Sequence, residues 1–293
     1  MNFYYFGGVF DSQENLETAS SLEKNNFAGV MYTYDSTQGD MFVRVARDIK
    51  PSEKIKYLIA IRPYTISPQY LQAISDSINE VDENRVQINF ISGYIKDHEA
   101  NINGIAGKIN DSSHSVDRSK YLLDYIETLN NMSINKKPLD FYISTTNNYI
   151  FQSVKKYKNK MIMPYHIYKR GWWSDEYGDN SSMVGFDLKN NEVMIAMTPI
   201  IREKKEDLES LRTHALRPIW KKGETTKVVD DVEYFTYESF SEFIEMLEED
   251  GIHSLLINAV PREEKNIIIP FIKRYTESKR FVGHSTNKEK NIL

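Results

Sequence analysis

The order of elements predicted along this chain indicates an α/β fold built as a single (β/α)8 barrel, with an open doubly wound sheet as the competing arrangement. Three observations support this. Short apolar runs of strand length occur eight times, and segments with apolar residues at helical spacing alternate with them. The chain has 293 residues, a length that such barrels fill as one unit.

The clearest strand–helix–strand unit lies in residues 57–94. Tyr57–Ile61 and Val86–Ser92 are the two predicted strands, rich in apolar and β-branched residues. Between them, Ser67 suits an N-cap and Pro68 suits the first helical position. Four apolar residues then recur at helical spacing and predict one buried helix face: Leu71, Ile74, Ile78 and Val81. A unit of this kind implies parallel strands joined by a right-handed crossover.

The remaining elements alternate in the same way. The other predicted strands are residues 3–6, 29–33, 139–144, 160–163, 192–201 and 252–258, and Pro199 predicts an edge or a bulge in the seventh strand. The predicted helices are residues 12–25, 42–49, 122–129, one opening at Asn147, 203–211, 240–247 with Gly251 as its stop, and 263–276 with a kink at Pro270. We expect one barrel domain over residues 1–280, with insertions at about 94–117, 165–190 and 213–233, and a polar tail over 281–293.

The composition is that of an ordinary globular protein, with 40% hydrophobic and 27% charged residues. A net charge of −5 gives no electrostatic footprint for nucleic acid. The absence of cysteine excludes disulfides, thiol nucleophiles and cysteine-bound metals. The six histidines form no pair at ligand spacing, so no metal is expected. We see neither a secretory signal nor an apolar run of membrane length, and a cytoplasmic protein is expected.

In a barrel of this type the active site lies at the C-terminal ends of the strands. Most residues at the predicted ends are small, hydroxylated or aromatic, which suits a flat ring system with a phosphate. No catalytic residue stands out from the sequence; the candidates at these ends are Arg62, Tyr165, His166 and Thr198.

The stretch Ser144-Thr145-Thr146-Asn147 follows the predicted fifth strand and opens a helix. Hydroxyl groups and unpaired backbone N–H groups at such a position can form an anion site. On the residues alone, a simple helix cap is the alternative.

The sequence from Ala60 to Gly93 resembles that of bacterial luciferase-like flavin-dependent monooxygenases, closest to the alkanesulfonate branch. It reads AIRPYTISPQYLQAISDSINEVDENRVQINFISG. An A-x-R-P strand end, an S-P helix start and an R-x-x-I-N-x-x-(T/S)-G strand follow one another in both. The resemblance implies a luciferase-like (β/α)8 barrel and a two-component monooxygenase. Such an enzyme uses O₂ and reduced FMN, supplied by a separate NAD(P)H:flavin reductase, to oxygenate a small organic substrate. A homo-oligomer, dimer or tetramer, is also expected.

The resemblance also suggests positions for the cofactor. Residues 92–94 (Ser92, Gly93 and Tyr94) match the strand end whose hydroxyl binds the flavin phosphate, and Ser144, Thr145 and Thr146 stand where the family has G-G-S-S. Arg118 matches the arginine of a basic-aromatic motif, although Ser119 replaces its tyrosine. The family's mobile lid corresponds to residues 213–233, where Arg217 and Lys221 could hold an anionic group. Trp172 and Trp173 could cover the open end of the barrel.

Four positions depart from the alkanesulfonate pattern. Ala196 and Thr198 replace an arginine and a histidine, while Val260 and Arg262 replace a tyrosine and a histidine. A sulfonate substrate is therefore not supported, and the sequence names no other substrate. Two alternatives stay open: a non-catalytic flavin-binding protein and a deazaflavin-dependent oxidoreductase of the same fold.

Overall fold

The computed structural model describes residues 1–7, 19–34, 39–82, 84–91, 115–132, 138–144, 150–151, 153–154, 160–169, 187–213, 219–222, 225–228, 232–259 and 264–289. Its elements are, in chain order, β1 (Asn2–Phe6), α1 (Ala19–Lys24), β2 (Gly29–Thr33), α2 (Met41–Asp48), β3 (Lys56–Ile61), a 3₁₀ turn (Pro63–Thr65), α3 (Pro68–Val81), β4 (Val86–Ile91), α4 (Ser115–Met132), β5 (Phe141–Ser144), β6 (Lys160–Pro164), α5 (Tyr165–Lys169), β7 (Val193–Arg202), α6 (Lys205–Thr213), β8 (Ile219–Lys222), β9 (Thr225–Val228), β10 (Val232–Thr236), α7 (Tyr237–Glu249), β11 (Ser254–Ile257) and α8 (Lys265–Glu289).

Eight of these strands form a closed parallel barrel. Their order around the ring is β1-β2-β3-β4-β5-β6-β7-β11, and β11 pairs with β1 to close it. The eight are the strands that the apolar runs predict, with β11 as the eighth. The predicted (β/α)8 barrel is therefore confirmed, and the competing open sheet is wrong.

The unit β3–α3–β4 forms as predicted. Ser67 Oγ accepts a hydrogen bond from the backbone N–H of Tyr70 at 3.2 Å, so Ser67 is the N-cap. Leu71 and Ile78 are fully packed, but Val81 is 54% exposed. The prediction of a buried Val81 is wrong because this residue is the last of the helix, where the chain already turns away from the barrel.

Two apolar cores lie on the two sides of the barrel wall. The larger one fills the layer between the strands and the surrounding helices. The smaller one, which we call the inner cluster, fills the barrel itself and consists of Tyr4, Met31, Leu58, Ala60, Tyr142, Ile162, Met194 and Leu256. Because strands of a closed parallel barrel are covered on both faces, their sequences are apolar throughout.

A polar network closes the N-terminal end of the barrel. Tyr4 Oη donates to Gln87 Oε1 at 3.0 Å, and Gln87 Nε2 donates to Asp140 Oδ2 at 2.7 Å. Lys160 Nζ lies 2.9 Å from carboxylate oxygens of both Asp140 and Glu192. Burial disfavours the charged lysine, but these two ion pairs outweigh it and raise the pKa of Lys160. We refer to this network as the floor.

Three segments differ from the sequence-based expectation. Residues 213–233, predicted as one long connection, contain the antiparallel hairpin β8–β9 and the start of β10. Strand β10 pairs in parallel with Thr198–Arg202 of β7, beyond the residues of β7 that belong to the barrel. Pro199 lies in this extension, which accords with its predicted edge position.

The other two differences concern helices. Tyr165–Lys169, predicted as the start of a loop, is the helix α5. The last helix does not end at Thr276 but continues to Glu289, through Pro270 and into the segment predicted as a polar tail. Among the described helices, none combines the length and the apolar character needed to cross a lipid bilayer.

Candidate active site at the mouth of the barrel

The alternation of side chains along each strand identifies the residues that face the interior near the C-terminal ends. In β3, Leu58 and Ala60 belong to the inner cluster. Arg62 follows with extended backbone angles (φ −99°, ψ 125°), so it continues the same face. The same reasoning applied to the other strands places Asn89, Ser144, Thr198 and Asn258 on the inner face, towards the C-terminal ends of the strands. We call this set of five residues the mouth.

Asn89 and Ser144 form a hydrogen-bonded pair within the mouth. Ser144 Oγ donates to Asn89 Oδ1 at 2.9 Å, and Asn89 Nδ2 points to the Met31 sulfur at 3.7 Å. Asn89 is only 2% exposed, whereas Ser144 at the end of β5 is half-buried. Sequence analysis missed Asn89. The signal was a polar residue in the middle of the apolar strand Val86–Ile91, where only a partner across the interior can satisfy it.

Two small side chains also face the interior of the barrel. Ala60 lies opposite Asn89 in the strand register, and Ala196 in β7 also faces inward, against the inner cluster. The alanine that stands where the alkanesulfonate enzymes carry an arginine therefore lines the interior. Small inward residues, together with amide and hydroxyl groups at the strand ends, suit a flat, partly polar ring.

Arg62 supplies a cation at the mouth. It is 8% exposed, and its guanidinium carbon lies 5.6 Å from the centre of the Tyr64 ring. Its carbonyl accepts hydrogen bonds from Thr65 N at 2.9 Å and Thr65 Oγ1 at 2.7 Å, which fixes the 3₁₀ turn. Helix α4 contacts this turn, and Arg118 lies half-buried in the first turn of α4. The structure thus places both predicted arginines on neighbouring elements.

Tyr165 occupies a different environment from the one expected. Its ring packs edge-on against Phe243 of α7, with centroids 5.3 Å apart, and lies in the outer core rather than in the interior. Burial, followed by the charge of Glu233, raises the pKa of Tyr165 to about 12. The cause is that α5 begins directly after β6 and turns this side chain outward. The position gives no support to a catalytic role for Tyr165. His166 follows it on α5 and is half-buried.

Thr198 lies where β7 leaves the barrel. It is 2% exposed, and its backbone pairs with Val232 of β10. Further along this extension, Arg202 makes two hydrogen bonds of 2.7 Å to the carboxylate of Glu264, which precedes α8. These bonds raise the pKa of Arg202. The pair fastens the β7–β10 extension, which begins at Thr198 of the mouth, to the residue that precedes α8.

The other predicted site residues cannot be placed. Ser92, Gly93, Tyr94, Thr145, Thr146, Trp172, Trp173 and Arg217 lie outside the described residues, as do Val260 and Arg262. Lys221 belongs to β8, of which only the backbone is described. The phosphate site and the lid therefore stay predictions.

A cavity of about 720 Å³ opens at the opposite end of the molecule. Its lining includes Glu23, Lys54, Glu248, Tyr275 and Lys279, which belong to the N-terminal side of the barrel. Because active sites of (β/α)8 barrels lie at the C-terminal ends of the strands, we assign the site to the mouth and not to this cavity.

No family model matches the sequence. Solved structures do share its fold. An F420-dependent secondary alcohol dehydrogenase in complex with an F420–acetone adduct aligns with a TM-score of 0.62 at 15% identity, over 94% of this chain and 97% of that one. The coenzyme F420-dependent tetrahydromethanopterin reductase from Methanopyrus kandleri gives 0.62 at 11%, over 94% and 97%.

An EDTA monooxygenase from Chelativorans sp. BNC1 gives 0.61 at 9% identity, over 95% of this chain and 94% of that one. The comparisons give no support to the alkanesulfonate branch in particular. At such identities the likeness is one of fold. The chain has the luciferase-like (β/α)8 barrel fold that these proteins share.

Proposed function

We propose that this chain is a flavin-dependent redox enzyme, and specifically a two-component monooxygenase that uses reduced FMN and O₂ to oxygenate a small organic substrate. The observation that carries the proposal is the mouth itself. There, amide and hydroxyl groups, a buried arginine and two inward alanines surround the open end of a barrel whose interior is otherwise packed. The fold, shared with monooxygenases and F420-dependent enzymes, supports the same conclusion.

The described residues fit the ring of such a cofactor. Below the mouth, the inner cluster gives an apolar base that excludes water. Ser144 and Thr198 would offer hydroxyl groups to the ring, Asn89 would hold Ser144 in place, and Arg62 would offer a positive charge. A site that combines an apolar surface with a few directed polar groups is typical for a small-molecule cofactor. When bound, reduced flavin supplies the electrons for activating O₂.

The phosphate of FMN would bind at the predicted group of residues 92–94, Thr145 and Thr146, with Arg118 nearby. A separate NAD(P)H-dependent flavin reductase would supply the reduced cofactor. The protein must also keep water from the reacting centre, a task that we assign to the connection between β7 and α7. The β8–β9 hairpin belongs to this connection. We further propose that the protein works as a homo-oligomer.

A second candidate is a deazaflavin-dependent oxidoreductase. Two of the proteins with the same fold are named for coenzyme F420, and one of them is a complex with an F420–acetone adduct. Under this reading the same mouth would hold the deazaflavin ring, and no O₂ would be needed. The inward Ala196 is compatible with both candidates, because it only provides space.

Cofactor titration separates the candidates. Purified protein is titrated anaerobically with oxidised FMN, dithionite-reduced FMN and F420, and binding is followed by fluorescence and absorbance. We expect reduced FMN to bind most tightly. Preference for F420 would support the second candidate, tight binding of oxidised FMN only would indicate a non-catalytic flavin-binding protein, and no binding would refute all three. Thr145→Asp places a negative charge beside the proposed phosphate and should weaken FMN binding by at least about tenfold.

A further inference from the structure

The hydrogen bond between Ser144 and Asn89 determines what Ser144 can do for a ligand. We propose that Ser144 is a hydrogen-bond acceptor for an N–H group of the bound ring, and that it thereby selects the reduced form of the flavin. The inference rests on the proposed function, since it specifies how the mouth would recognise the cofactor. It differs from the sequence-based prediction, in which Ser144 binds the phosphate.

A serine hydroxyl carries a single proton. Ser144 Oγ donates this proton to Asn89 Oδ1 at 2.9 Å, and a carbonyl oxygen can only accept. The hydroxyl oxygen keeps its lone pairs, so towards any third group Ser144 acts as an acceptor. Asn89 is 2% exposed, and leaving its oxygen unsatisfied would be unfavourable. The bond is therefore expected to persist when a ligand arrives.

The orientation of the Asn89 amide fixes which group donates and which accepts in its hydrogen bond with Ser144. Its nitrogen lies 3.7 Å from the sulfur of Met31, a thioether that can accept a hydrogen bond but cannot donate one. If the amide were turned over, its oxygen would face the sulfur, and two acceptors would oppose each other. Met31 belongs to the inner cluster and is 8% exposed, so it holds this position by packing. Met31 thus orients Asn89, and Asn89 orients Ser144.

The location of Ser144 makes its oxygen available to a ring. Ser144 is the last residue of β5, two residues after the inward Tyr142, and it is half-buried at the inner face. Phosphate oxygens at neutral pH are acceptors, so a hydroxyl that has already donated its proton is a poor partner for them. A flavin ring in its reduced form carries an additional N–H where the oxidised ring has a bare acceptor nitrogen. An acceptor at the mouth therefore favours the N–H group of the reduced ring and disfavours the bare nitrogen of the oxidised ring.

The test compares two redox states and two flavins. Wild type, Ser144→Ala and Ser144→Thr are titrated anaerobically with oxidised and dithionite-reduced FMN, and then with oxidised and reduced riboflavin, which lacks the phosphate. Ser144→Ala should weaken the reduced form about tenfold, the worth of one hydrogen bond, and the oxidised form by less than about twofold. The change should be the same for riboflavin and FMN. Ser144→Thr keeps the hydroxyl and should restore the preference.

Two results would overturn the inference while leaving the proposed function intact. Equal losses for oxidised and reduced flavin would show that Ser144 does not read the redox state, and a loss confined to FMN would make it a phosphate ligand. Failure of wild type to bind either form would refute the proposed function itself. Circular dichroism checks the fold of each variant. Should Ser144→Ala not fold, Met31→Leu removes the acceptor that orients Asn89 and should reduce the preference for reduced flavin several-fold; an unchanged preference would contradict the inference.

Discussion

A methyl group added at Gly29 is expected to destabilise the barrel through a direct clash. Gly29 lies opposite Tyr4 in the register of β1 and β2. A Cβ atom at Gly29 would lie 3.0 Å from Cζ of Tyr4 and closer still to Cδ1 and Cε1 of that ring. The ring cannot easily move away, because Tyr4 is 4% exposed within the inner cluster and its hydroxyl donates to Gln87. The floor therefore requires glycine here.

Two contributions determine how much stability Gly29→Ala should remove. Forcing one extra methyl group into a packed core costs about 1–3 kcal/mol. If the Tyr4 ring shifts far enough to break its bond to Gln87, a buried amide oxygen loses a partner, which costs about 1–3 kcal/mol more. Together, Gly29→Ala should lower the free energy of unfolding by roughly 2–6 kcal/mol. For a chain of this size, that corresponds to a fall in Tm of about 3–10 °C.

Urea unfolding followed by circular dichroism measures the change, and the chain offers a matched control. A Cβ atom at Gly39 would meet nothing within 4 Å, so Gly39→Ala should change stability by less than about 0.5 kcal/mol. Combining Gly29→Ala with Tyr4→Ala removes the clashing ring, and the double variant should lose less than the sum of the single losses. The reasoning is refuted if Gly29→Ala is as stable as Gly39→Ala, or if the two losses simply add.

Three further predictions concern other parts of the molecule. Glu264→Gln should lower the free energy of unfolding by about 2–4 kcal/mol, because it leaves the charge of Arg202 largely buried and poorly paired. A double-mutant cycle with Arg202→Met measures the coupling between the two residues, and a coupling energy below about 0.5 kcal/mol would contradict this prediction. Burial, followed by neighbouring charges, raises the pKa of Tyr142. The contribution of the neutral Tyr142 hydroxyl to stability is therefore complete below the unfolded pKa of about 10 and is lost as pH rises further. Tm measured from pH 7 to 11 should fall more steeply in wild type than in Tyr142→Phe, and parallel curves would count against this prediction. Replacing residues 219–228 by a short linker should leave folding and flavin affinity intact. In the presence of substrate, a larger share of the reduced FMN should be oxidised with release of hydrogen peroxide instead of oxygenated product. An unchanged share would make the hairpin a plain surface connection.

The fold could be predicted because the barrel strands are apolar on both faces. Such runs stand out in a single sequence, and alternation with helices then specifies the topology. The strands outside the barrel could not be found in this way. The hairpin strands read IWKK and TTKV, with five of their eight residues polar or charged, and β10 reads VEYFT. Strand β10 depends on pairing with the extension of β7, a tertiary contact that no local pattern encodes.

The candidate site could be predicted only in outline. The rule that barrel sites lie at strand ends pointed to Arg62, Ser144 and Thr198, and the structure places all three at the C-terminal ends of their strands, while their roles stay predictions. It could not tell which side of the wall a residue faces, because most inner and outer positions of these strands are apolar. Tyr165 was misplaced for a different reason: it begins helix α5 directly after β6, and the helix directs its side chain to the outer core. Asn89 was overlooked because it lies inside a strand and not at its end.

The floor and the mouth share strands, and this sharing constrains both. Strand β4 carries Gln87 in the floor and Asn89 at the mouth, two residues apart on the same inner face. Strand β5 carries Tyr142, which donates to Glu192 at 2.6 Å, and then Ser144. The charged floor holds the register of these strands at one end, so the Asn89–Ser144 pair at the other end is set before any ligand arrives. Loss of a floor contact should therefore lower stability first, and it should affect ligand selectivity only if the register of β4 against β5 changes.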